Sequence, residues 1–399
     1  MTINGREVPR WARITLIAVL VAAVLGIGSV AVARGMVNGS VPQTELLQGE
    51  AAAANSETGN SIDGPVNLLL AGLDAREEGS PGQTGSVLAD TIIILHVPAT
   101  HDRAFLISIP RDWRVDIPAY SKTGFTGSTE KINSAFGYGY QGDGSEVEKR
   151  ARGMELLSTT LHEETGIRFN GAAIIDFGGF GSVVHALGGV DMCVDERAES
   201  IHLGRDANGK LVQGWYSEAY GMQLPPGATP LVHEEGCRRM NATEALDYVR
   251  IRKSLSDGDY GRQRHQQQLI KAIVDEATTS GVLTDLGKLN ALVKAAGDTF
   301  LLDTGGIPLA DYVFTFKNLR SGDLTLIKTN AGEVRTVQID GVAYEELDER
   351  SLSMLAAAKT GDLDAFLADH PEFVAEQGAP AAPASGAPAP SMPASRVPE

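Results

Sequence analysis

The fold follows from the stretch Val66-Asn67-Leu68-Leu69-Leu70-Ala71 and from two similar apolar runs, Thr91-Ile92-Ile93-Ile94-Leu95-His96-Val97 and Ala104-Phe105-Leu106-Ile107-Ser108-Ile109-Pro110. Each run is short and is bounded by residues that favour turns. Near-continuous apolar segments of this length are typical of strands that are buried on both faces of a sheet. We therefore expect a sheet with a covering layer on each side.

The rest of the central region alternates between strand and helix patterns. Shorter apolar runs predict strands at residues 172–176, 190–194 and 324–329. Apolar residues recur with helical spacing at residues 152–164, 180–187, 263–277 and 286–296. Helices interspersed with buried strands predict an α/β fold, as a three-layer α/β/α sandwich with a mixed central sheet.

An uncharged apolar segment at residues 14–33 precedes this region. As a helix it spans about 30 Å, the thickness of the hydrocarbon core of a bilayer. Three arginines precede it and only Arg34 directly follows it. The positive-inside rule therefore predicts a single transmembrane helix, with residues 1–13 in the cytoplasm and the rest of the chain outside the cell membrane. The alternative is a signal peptide cleaved near Ala31-Val32-Ala33, which places the remainder on the same side.

The segments after the anchor and at the far end differ in composition from the centre. Residues 34–62 are polar and small, which predicts a flexible stalk. Residues 377–399 are dominated by Ala, Pro, Gly and Ser. Such a composition cannot bury a core, so we expect a disordered tail there.

The charge of the chain limits the classes of partner. The 399 residues carry a formal net charge of −17, with 43% hydrophobic and 21% charged residues. These fractions are typical of a globular protein. Nucleic-acid binding needs a positive surface that faces the phosphates, so the net charge argues against it. A local basic cluster can still bind phosphate groups.

The two cysteines, Cys193 and Cys237, form the single possible pair. A non-reducing compartment permits a disulfide between them, which constrains the unfolded chain by roughly 4 kcal/mol. Two free buried thiols are the alternative. Neither cysteine has the spacing of a metal ligand, so a structural disulfide is the preferred interpretation.

Two aspartates stand at the ends of strands that follow one another along the chain. Asp74 comes just after the first apolar run and Asp90 just before the second. Ligands of open α/β sheets bind at strand ends, and Mg²⁺ takes one or two protein carboxylates where phosphate is present. The sequence therefore offers Asp74 and Asp90 as ligands of Mg²⁺ or Mn²⁺. Turn formation and capping, which Asp side chains do routinely in loops, is the other interpretation.

Basic residues cluster in the same region. If the chain from residue 248 is extended, Arg250 and Arg252 point to one face. Desolvated guanidinium groups need an anion, so a gathering of such groups in an acidic protein predicts a polyphosphate pocket. Structural salt bridges with the abundant acids are the alternative. The set comprises Arg111, Lys131, Arg250, Arg252 and Arg262, with Gln266 one helical turn after the last.

Seven segments, taken in order, resemble the LytR-CpsA-Psr family of bacterial cell-envelope proteins. They cover roughly residues 66–280 and stand behind the N-terminal anchor. The segments are Leu70-Ala71-Gly72-Leu73-Asp74-Ala75-Arg76, Ala89-Asp90-Thr91, Ser108-Ile109-Pro110-Arg111-Asp112, Lys131-Ile132-Asn133-Ser134-Ala135, Gly188-Gly189-Val190-Asp191, Ala245-Leu246-Asp247-Tyr248-Val249-Arg250-Ile251-Arg252 and Asp259-Tyr260-Gly261-Arg262-Gln263-Arg264-His265-Gln266.

The resemblance implies a phosphotransferase. Such an enzyme takes a glycopolymer from a polyprenyl-pyrophosphate carrier and attaches it through a phosphodiester to the cell wall, on peptidoglycan or on a surface glycoprotein. The implied catalytic domain covers residues 63–300. Residues 301–376 then form an extension that either completes this domain or is appended to it.

The resemblance also assigns roles by position. Asp74 and Asp90 take the place of the family's Mg²⁺ ligands. The pyrophosphate-binding positions are Arg76, Lys131, Arg262 and Gln266, and the catalytic positions are Arg111, Arg250, Arg252 and Asp259.

The sequence departs from the family pattern at two positions. Leu88 stands where an arginine is common, two residues before Asp90-Thr91. His265 replaces the later arginine of the Gly-Arg-x-x-Arg-Gln pattern. Arg264 compensates for this loss only if the helix is rotated, because adjacent helical positions face different ways.

The residues suggest a mechanism and leave three alternatives open. Mg²⁺ and several arginines supply the charge stabilisation that cleavage of a pyrophosphate requires. No Ser-His-Asp spacing is present, so the hydroxyl that attacks is served by an aspartate near the metal or by Asp259. A non-catalytic protein that binds lipid-linked polymer and a simple pyrophosphatase remain alternatives. A transcriptional regulator is a third, against which the net charge and the external location argue.

Overall fold

The computed structural model describes residues 44–55, 57–58, 61–73, 87–217, 221–279, 300–308, 311–312, 315–316 and 319–375. The predicted anchor, most of the stalk, the helix at residues 286–296 and the tail at residues 377–399 lie outside the described residues. Within the described ranges, no helix is both long and apolar enough to cross a membrane.

Seven α-helices are found in the described part of the chain. They are α1 Ile132–Tyr140, α2 Glu146–Thr165, α3 Phe177–Ala186, α4 Ala242–Tyr248, α5 Asp259–Thr279, α6 Glu349–Thr360 and α7 Leu363–Asp369.

The strands are mostly short. They are β1 Glu57–Thr58, β2 Ser61–Ile62, β3 Val66–Leu73, β4 Ala89–Val97, β5 Ala104–Ile109, β6 Arg114–Ile117, β7 Ser128–Lys131, β8 Gly171–Asp176, β9 Val190–Val194, β10 Ala198–Arg205, β11 Leu211–Gln213, β12 Trp215–Ser217, β13 Gly221–Gln223, β14 Thr229–His233, β15 Gly236–Met240, β16 Phe300–Asp303, β17 Leu324–Lys328, β18 Thr336–Ile339 and β19 Val342–Glu345.

Six strands form the central sheet, in the order β16-β8-β3-β4-β5-β17. The pairs β3/β8 and β5/β17 are parallel, and the other neighbours are antiparallel. The prediction of an α/β fold with a mixed central sheet is therefore confirmed. The run at residues 190–194 is a strand, as predicted, but it pairs with β15 in a separate two-stranded sheet rather than in the central one.

Both faces of the central sheet are buried. Leu68, Leu95 and Leu106 belong to one hydrophobic core, which also contains residues of α3, α4 and α5. Their neighbours Leu69 and Ile94 belong to a second core, with residues of α1, α2 and α6. Because side chains alternate between the faces of a strand, two cores with alternating members place helices on both sides of the sheet.

Close packing of α1 against α2 depends on glycine. A Cβ atom on Gly139 would lie 2.4 Å from the carbonyl oxygen of Arg152, and one on Gly153 would lie 2.9 Å from the ring of Phe136. Helix α2 begins at a capping box formed by Ser145 and Glu148. The chain between β7 and α2 is thereby fixed against the sheet, and β7 ends at Lys131, a residue of the predicted pocket.

The disulfide joins Cys193 in β9 to Cys237 in β15, and the two residues face each other in the antiparallel register. Asp195 follows β9 directly and contacts α4 and α5. The disulfide thus lies two residues from a contact that holds these helices.

Candidate functional site

The site is built at the edge of the sheet where β3 and β5 end and β4 begins. In the antiparallel pair β3/β4, Gly72 faces Thr91 and Leu73 faces Ala89. Asp90 is therefore the extra residue of a β-bulge, a feature that re-aims a side chain at a sheet edge. Arg111 follows the end of β5 and donates from Nη1 to Oδ1 of Asp90 at 2.8 Å.

Asp259, the first residue of α5, is the centre of the basic residues. Its Oδ1 lies 3.0 Å from Nη2 of Arg262, 3.5 Å from Nε of Arg252 and 3.8 Å from Nε of Arg111. Its Oδ2 accepts a hydrogen bond of 3.0 Å from Nε2 of Gln263. Burial opposes ionisation of this carboxyl, but Arg262, Arg111, the Gln263 amide and Arg252 together hold its pKa below the usual value. Asp259 is therefore an ionised anchor for three guanidinium groups.

Asp112 is a second anion in the same cluster. It accepts from Nζ of Lys131 at 2.9 Å, and it lies 3.7 Å from Nε of Arg111 and 3.9 Å from Nη2 of Arg252. Arg111 and Arg252 consequently lie between two carboxylates. We call Arg111, Lys131, Arg252 and Arg262 the cationic cluster.

A cavity of about 650 Å³ opens beside the cationic cluster, and we call it the arginine cavity. Its described lining includes four basic side chains and four carboxylates. Most of these charges are already paired, so an entering phosphate competes with the carboxylates for the arginines. The charged lining residues are Arg111, Lys131, Arg252, Lys253, Asp112, Asp257, Asp259 and Glu345.

Several buried residues of α5 have polar atoms without a protein partner in the described part of the chain, and two of them, Arg262 and Gln266, belong to the predicted pyrophosphate-binding set. Arg262 has a side chain that is 7% exposed, and its Nη2 donates to the carbonyl oxygen of Asp90 at 3.0 Å, while Nε has no partner. Burial lowers the pKa of this guanidinium and Asp259 opposes the shift. Gln266 is 6% exposed, and neither of its amide atoms is hydrogen-bonded within the described residues. Orphaned buried polar atoms of this kind point to a ligand.

The structure also shows where the remaining predicted residues lie. Asp74 and Arg76 lie outside the described residues. The stretch from residue 248 is not extended, because α4 ends at Tyr248 and a turn follows in which the Arg250 amide donates to the carbonyl of Asp247. Arg252 reaches the arginine cavity from this turn, whereas Arg250 is not among the described residues that line it.

Of the two predicted metal ligands, Asp90 lies within the described residues and Asp74 does not. Within the described ranges, no group of three or more His, Cys, Asp or Glu side chains is arranged to hold a metal ion. The carboxylate of Asp90 is partly exposed, and Arg111 holds its Oδ1. One carboxylate fits Mg²⁺ only when phosphate oxygens, water or a second carboxylate complete the octahedron. Asp90 is compatible with such a site at the sheet edge.

The second departure from the family pattern, His265 in place of an arginine, has a structural counterpart. Arg264 forms ion pairs with Asp195 and Asp257, so it does not replace the missing arginine. His265 is fully buried; its Nε2 lies 2.8 Å from the Tyr248 hydroxyl and 2.9 Å from Oδ1 of Asp195. Position 265 thus joins a packing network rather than the cationic cluster.

Sequence reasoning missed Asp112, Gln263 and Glu345 as parts of the site. Asp112 stands beside Arg111 at a strand end, which was a usable signal. Glu345 comes from β19 and accepts from the Tyr260 hydroxyl at 3.1 Å. It lies in the region after residue 300, which also supplies β17 to the central sheet. The pairing of β17 with β5 joins residues that are far apart in the chain, so no local sequence pattern indicates it.

Residues 36–360 match the LytR_cpsA_psr family. The chain belongs to this family. The resemblance found in the seven segments is thereby confirmed, and the LytR-CpsA-Psr match extends beyond them into the region after residue 300.

This LytR-CpsA-Psr protein is similar to two named relatives and to one solved structure. Cell wall biosynthesis protein LcpA of Corynebacterium glutamicum is 27% identical over 339 residues, which cover 78% of this chain and 58% of LcpA. Polyisoprenyl-teichoic acid--peptidoglycan teichoic acid transferase TagU of Halalkalibacterium halodurans is 28% identical over 243 residues, or 61% of this chain and 62% of TagU. The chain thus spans less than two thirds of either relative. The structure of TagT bound to LI-WTA matches 81% of this chain and 100% of that chain, with a TM-score of 0.54 and 21% identity, and it supports the fold.

Proposed function

We propose that this protein transfers a glycopolymer from a polyprenyl-pyrophosphate carrier to a cell-wall acceptor, peptidoglycan or a surface glycoprotein, and leaves a phosphodiester. The observation that carries the proposal is the convergence of Arg111, Arg252 and Arg262 on Asp259 at the carboxyl edge of β5. The name of TagU, which describes a teichoic acid transferase that acts on peptidoglycan, supports the same class of reaction.

The chemistry assigns a task to the cationic cluster. The oxygen of an acceptor hydroxyl forms a bond to the phosphorus next to the glycan. The bond from that phosphorus to the bridging oxygen breaks, its electron pair leaves with polyprenyl phosphate, and the hydroxyl proton is released to water. Negative charge grows on the leaving and non-bridging oxygens, where guanidinium and ammonium groups stabilise it. Each such donor contributes about 10²–10³ to the rate.

Asp259 serves this cluster as an orienting anion. Its lowered pKa makes it a weak proton acceptor, so its carboxylate holds the arginines in place more effectively than it removes a proton. When phosphate enters, Arg111 and Arg252 exchange a carboxylate partner at 3.5–3.8 Å for phosphate oxygens. The site is therefore preorganised without the ligand.

Mg²⁺ or Mn²⁺ belongs to the proposal as a bound cofactor. Asp90 would hold the ion together with Asp74, and the ion would neutralise charge on the pyrophosphate oxygens. Arg111 fixes Oδ1 of Asp90 and so orients the carboxylate for this role.

The location is proposed from the N-terminal segment. The polyprenyl chain of the donor is embedded in a bilayer, so residues 14–33 as a single-pass anchor would hold the catalytic region at the outer surface of the cell membrane. The partners would then be the lipid-linked glycan and the cell wall, and no nucleic acid.

The full chain in detergent micelles, with Mg²⁺, a synthetic polyprenyl-pyrophosphoryl saccharide and peptidoglycan, tests the function. We expect release of polyprenyl phosphate together with covalent attachment of the saccharide, both lost after chelation of the metal. Release without attachment would make the protein a pyrophosphatase, and donor binding without release would make it a binding protein. Either result overturns the proposal.

A further inference from the structure

A second cavity lies beside the arginine cavity and has a different chemical character. Its volume is about 900 Å³, within the range of roughly 300–1,000 Å³ for small-molecule clefts. It lies at the carboxyl ends of the parallel strands β5 and β17, where Ser108 and Lys328 face each other. Ligands of open α/β sheets bind at such strand ends. We call it the β17 cavity.

The two cavities meet at the first turns of α5. Ser256, Asp257, Tyr260 and Gln263 line both of them. A ligand in the β17 cavity is therefore separated from the cationic cluster by single side chains, and Asp259, which accepts from Gln263, lies at this boundary.

The charges of the β17 cavity do not suit a phosphate. Its described lining holds the carboxylates Asp195, Glu196 and Asp257 but only two cations, Arg264 and Lys328. Arg264 is already paired with two of the carboxylates. An anion would meet net negative charge, whereas neutral hydroxyl groups find hydrogen-bond acceptors.

An unpartnered polar atom in the wall points to a ligand. Gln263 is 6% exposed; its Nε2 is used by Asp259, and its Oε1 has no partner in the described part of the chain. Gln267, by contrast, is anchored: its Nε2 lies 2.9 Å from the carbonyl oxygens of Leu106 and Ile327 and 2.8 Å from the Ser108 hydroxyl, so its two amide hydrogens are shared among these acceptors and tie the floor of the cavity to β5 and β17. The free Oε1 of Gln263, next to this anchored floor, favours a ligand that donates hydroxyl groups.

We propose that the β17 cavity is the acceptor subsite, which binds the neutral saccharide end of the acceptor so that one of its hydroxyls reaches the donor phosphate past Gln263. This assignment rests on the proposed function. The incoming hydroxyl oxygen forms the new bond to phosphorus, polyprenyl phosphate leaves with the electron pair, and the proton goes to water. The acidic wall excludes a second anionic donor and so separates the two substrates.

Direct binding tests the subsite independently of turnover. The probe is chitotetraose, a neutral β-1,4-linked oligosaccharide, and saturation-transfer NMR on the full chain in detergent measures its Kd. We expect Lys328→Ala and Glu196→Ala to raise this Kd about five- to tenfold each, through loss of hydrogen bonds to the sugar. The exposed Lys210→Ala is the matched control and leaves the Kd unchanged. Absence of binding by the unmodified chain, or equal binding by both cavity variants, overturns the subsite.

Two further measurements distinguish a failure of the acceptor subsite from a failure of the proposed function. Arg252→Ala should lose transfer and still bind chitotetraose as the unmodified chain does. If the unmodified chain transfers and the cavity variants keep the acceptor KM unchanged, the subsite is wrong and the function stands. If chitotetraose binds only after removal of residues 376–399, which continue from the lining residue Ala375, the chain's own end is the occupant and the proposal fails.

Discussion

Arg264 donates from Nε to Oδ2 of Asp195 at 2.6 Å, and this ion pair joins two parts of the candidate site. The other oxygen, Oδ1, accepts from the Tyr248 hydroxyl at 3.1 Å and lies 2.9 Å from Nε2 of His265. Tyr248 ends α4, from which the chain turns to Arg252, whereas Arg264 and His265 belong to α5. One carboxylate therefore fixes the relative position of the two elements that supply Arg252 and Arg262 to the cationic cluster.

Asp195→Asn should lower the free energy of unfolding by about 1–3 kcal/mol, because a partly buried charged hydrogen-bond acceptor is lost while its donors stay. Urea unfolding at pH 7 measures this. Asp191→Asn, whose exposed carboxylate lies 3.4 Å from Arg239, is the control and should change the free energy by less than about 0.5 kcal/mol. Equal losses in both variants would contradict the role of Asp195.

The effect of Asp195→Asn should depend on pH. Burial opposes ionisation of Asp195, but the hydrogen bond and charge of His265 and the charge of Arg264 hold its pKa well below the ordinary 3.8. A depressed pKa in the folded state contributes stability above the unfolded pKa, and this contribution falls as the carboxyl is protonated. The difference in the free energy of unfolding between the unmodified protein and Asp195→Asn should therefore become smaller as pH falls below about 4. A difference in the free energy of unfolding that stays constant from pH 7 to pH 3 would contradict a stabilising role of the ionised Asp195.

Arg252→Ala should reduce transfer about 10²- to 10³-fold, the usual loss of one charged donor at a transition state. Its side chain is 45% exposed, so the fold should not depend on it. The matched control is Arg103→Ala, which removes a similarly exposed arginine paired with Asp102 and Asp364 far along the chain. Initial rates of polyprenyl phosphate release measure both, and a loss below threefold for Arg252→Ala would remove this arginine from the site.

Gln266→Met should separate stability from binding. Both amide atoms of Gln266 are buried without a described partner, so an apolar side chain of similar shape should keep or raise the free energy of unfolding of the ligand-free protein. The KM for the pyrophosphate donor should rise about tenfold, because the Gln266 amide, which has no partner among the described residues, would lose its hydrogen bond to the ligand. Thermal unfolding of the ligand-free protein measures the first effect, and initial rates at varied donor concentration measure the KM. A clear destabilisation without ligand would show that Gln266 serves the fold.

Reduction of the Cys193–Cys237 disulfide should destabilise the protein by about 2–4 kcal/mol, since the two residues are separated by 44 positions and the bond restricts the unfolded chain. Unfolding in guanidinium with and without a reductant measures the difference. The double variant C193S/C237S should match the reduced protein and should not respond to the reductant. A response of the double variant would assign the effect to another cause.

Gly139→Ala should destabilise the protein although alanine favours helices. The added Cβ would stand 2.4 Å from the carbonyl oxygen of Arg152, and such overpacking costs about 1–3 kcal/mol, more than the roughly 1 kcal/mol gained in helix propensity. Gly322→Ala is the control, because no atom lies within 4 Å of its added Cβ. Thermal unfolding compares the two. A stable Gly139→Ala protein would show that α1 and α2 can separate.

The central strands were predictable from the sequence because burial on both faces leaves continuous apolar runs, as in β3, β4 and β5. Helix α1 was not, because Gly137 and Gly139 lower its propensity and contacts with α2 hold it in place. Strands β10, β11 and β14 carry few buried residues, so their pairing left no periodic signal.

The candidate site was predictable where function requires an unusual residue. Arg111, Lys131, Arg252 and Arg262 stand out in an acidic chain, and the structure brings them together. The carboxylates of the arginine cavity were harder to find: Asp112 is indicated only by its position next to Arg111, and Glu345 looks like an ordinary surface acid until β19 is placed beside the site. Arg250 was predicted to lie in the pocket because the chain from residue 248 was assumed to be extended. The structure has a turn after α4 instead, and Arg250 is not among the described residues that line the arginine cavity.

Strand β17 joins β5 across more than two hundred residues of intervening chain, and Gln267 ties both to α5. A polypeptide that has emerged only as far as residue 320 presents the edge of β5 with its amide and carbonyl groups unpaired, a template for pairing with another molecule. Synthesis of this chain therefore carries an aggregation hazard until its last quarter is available to pair with β5. Truncations before residue 324 should precipitate rather than remain in solution as a smaller folded protein.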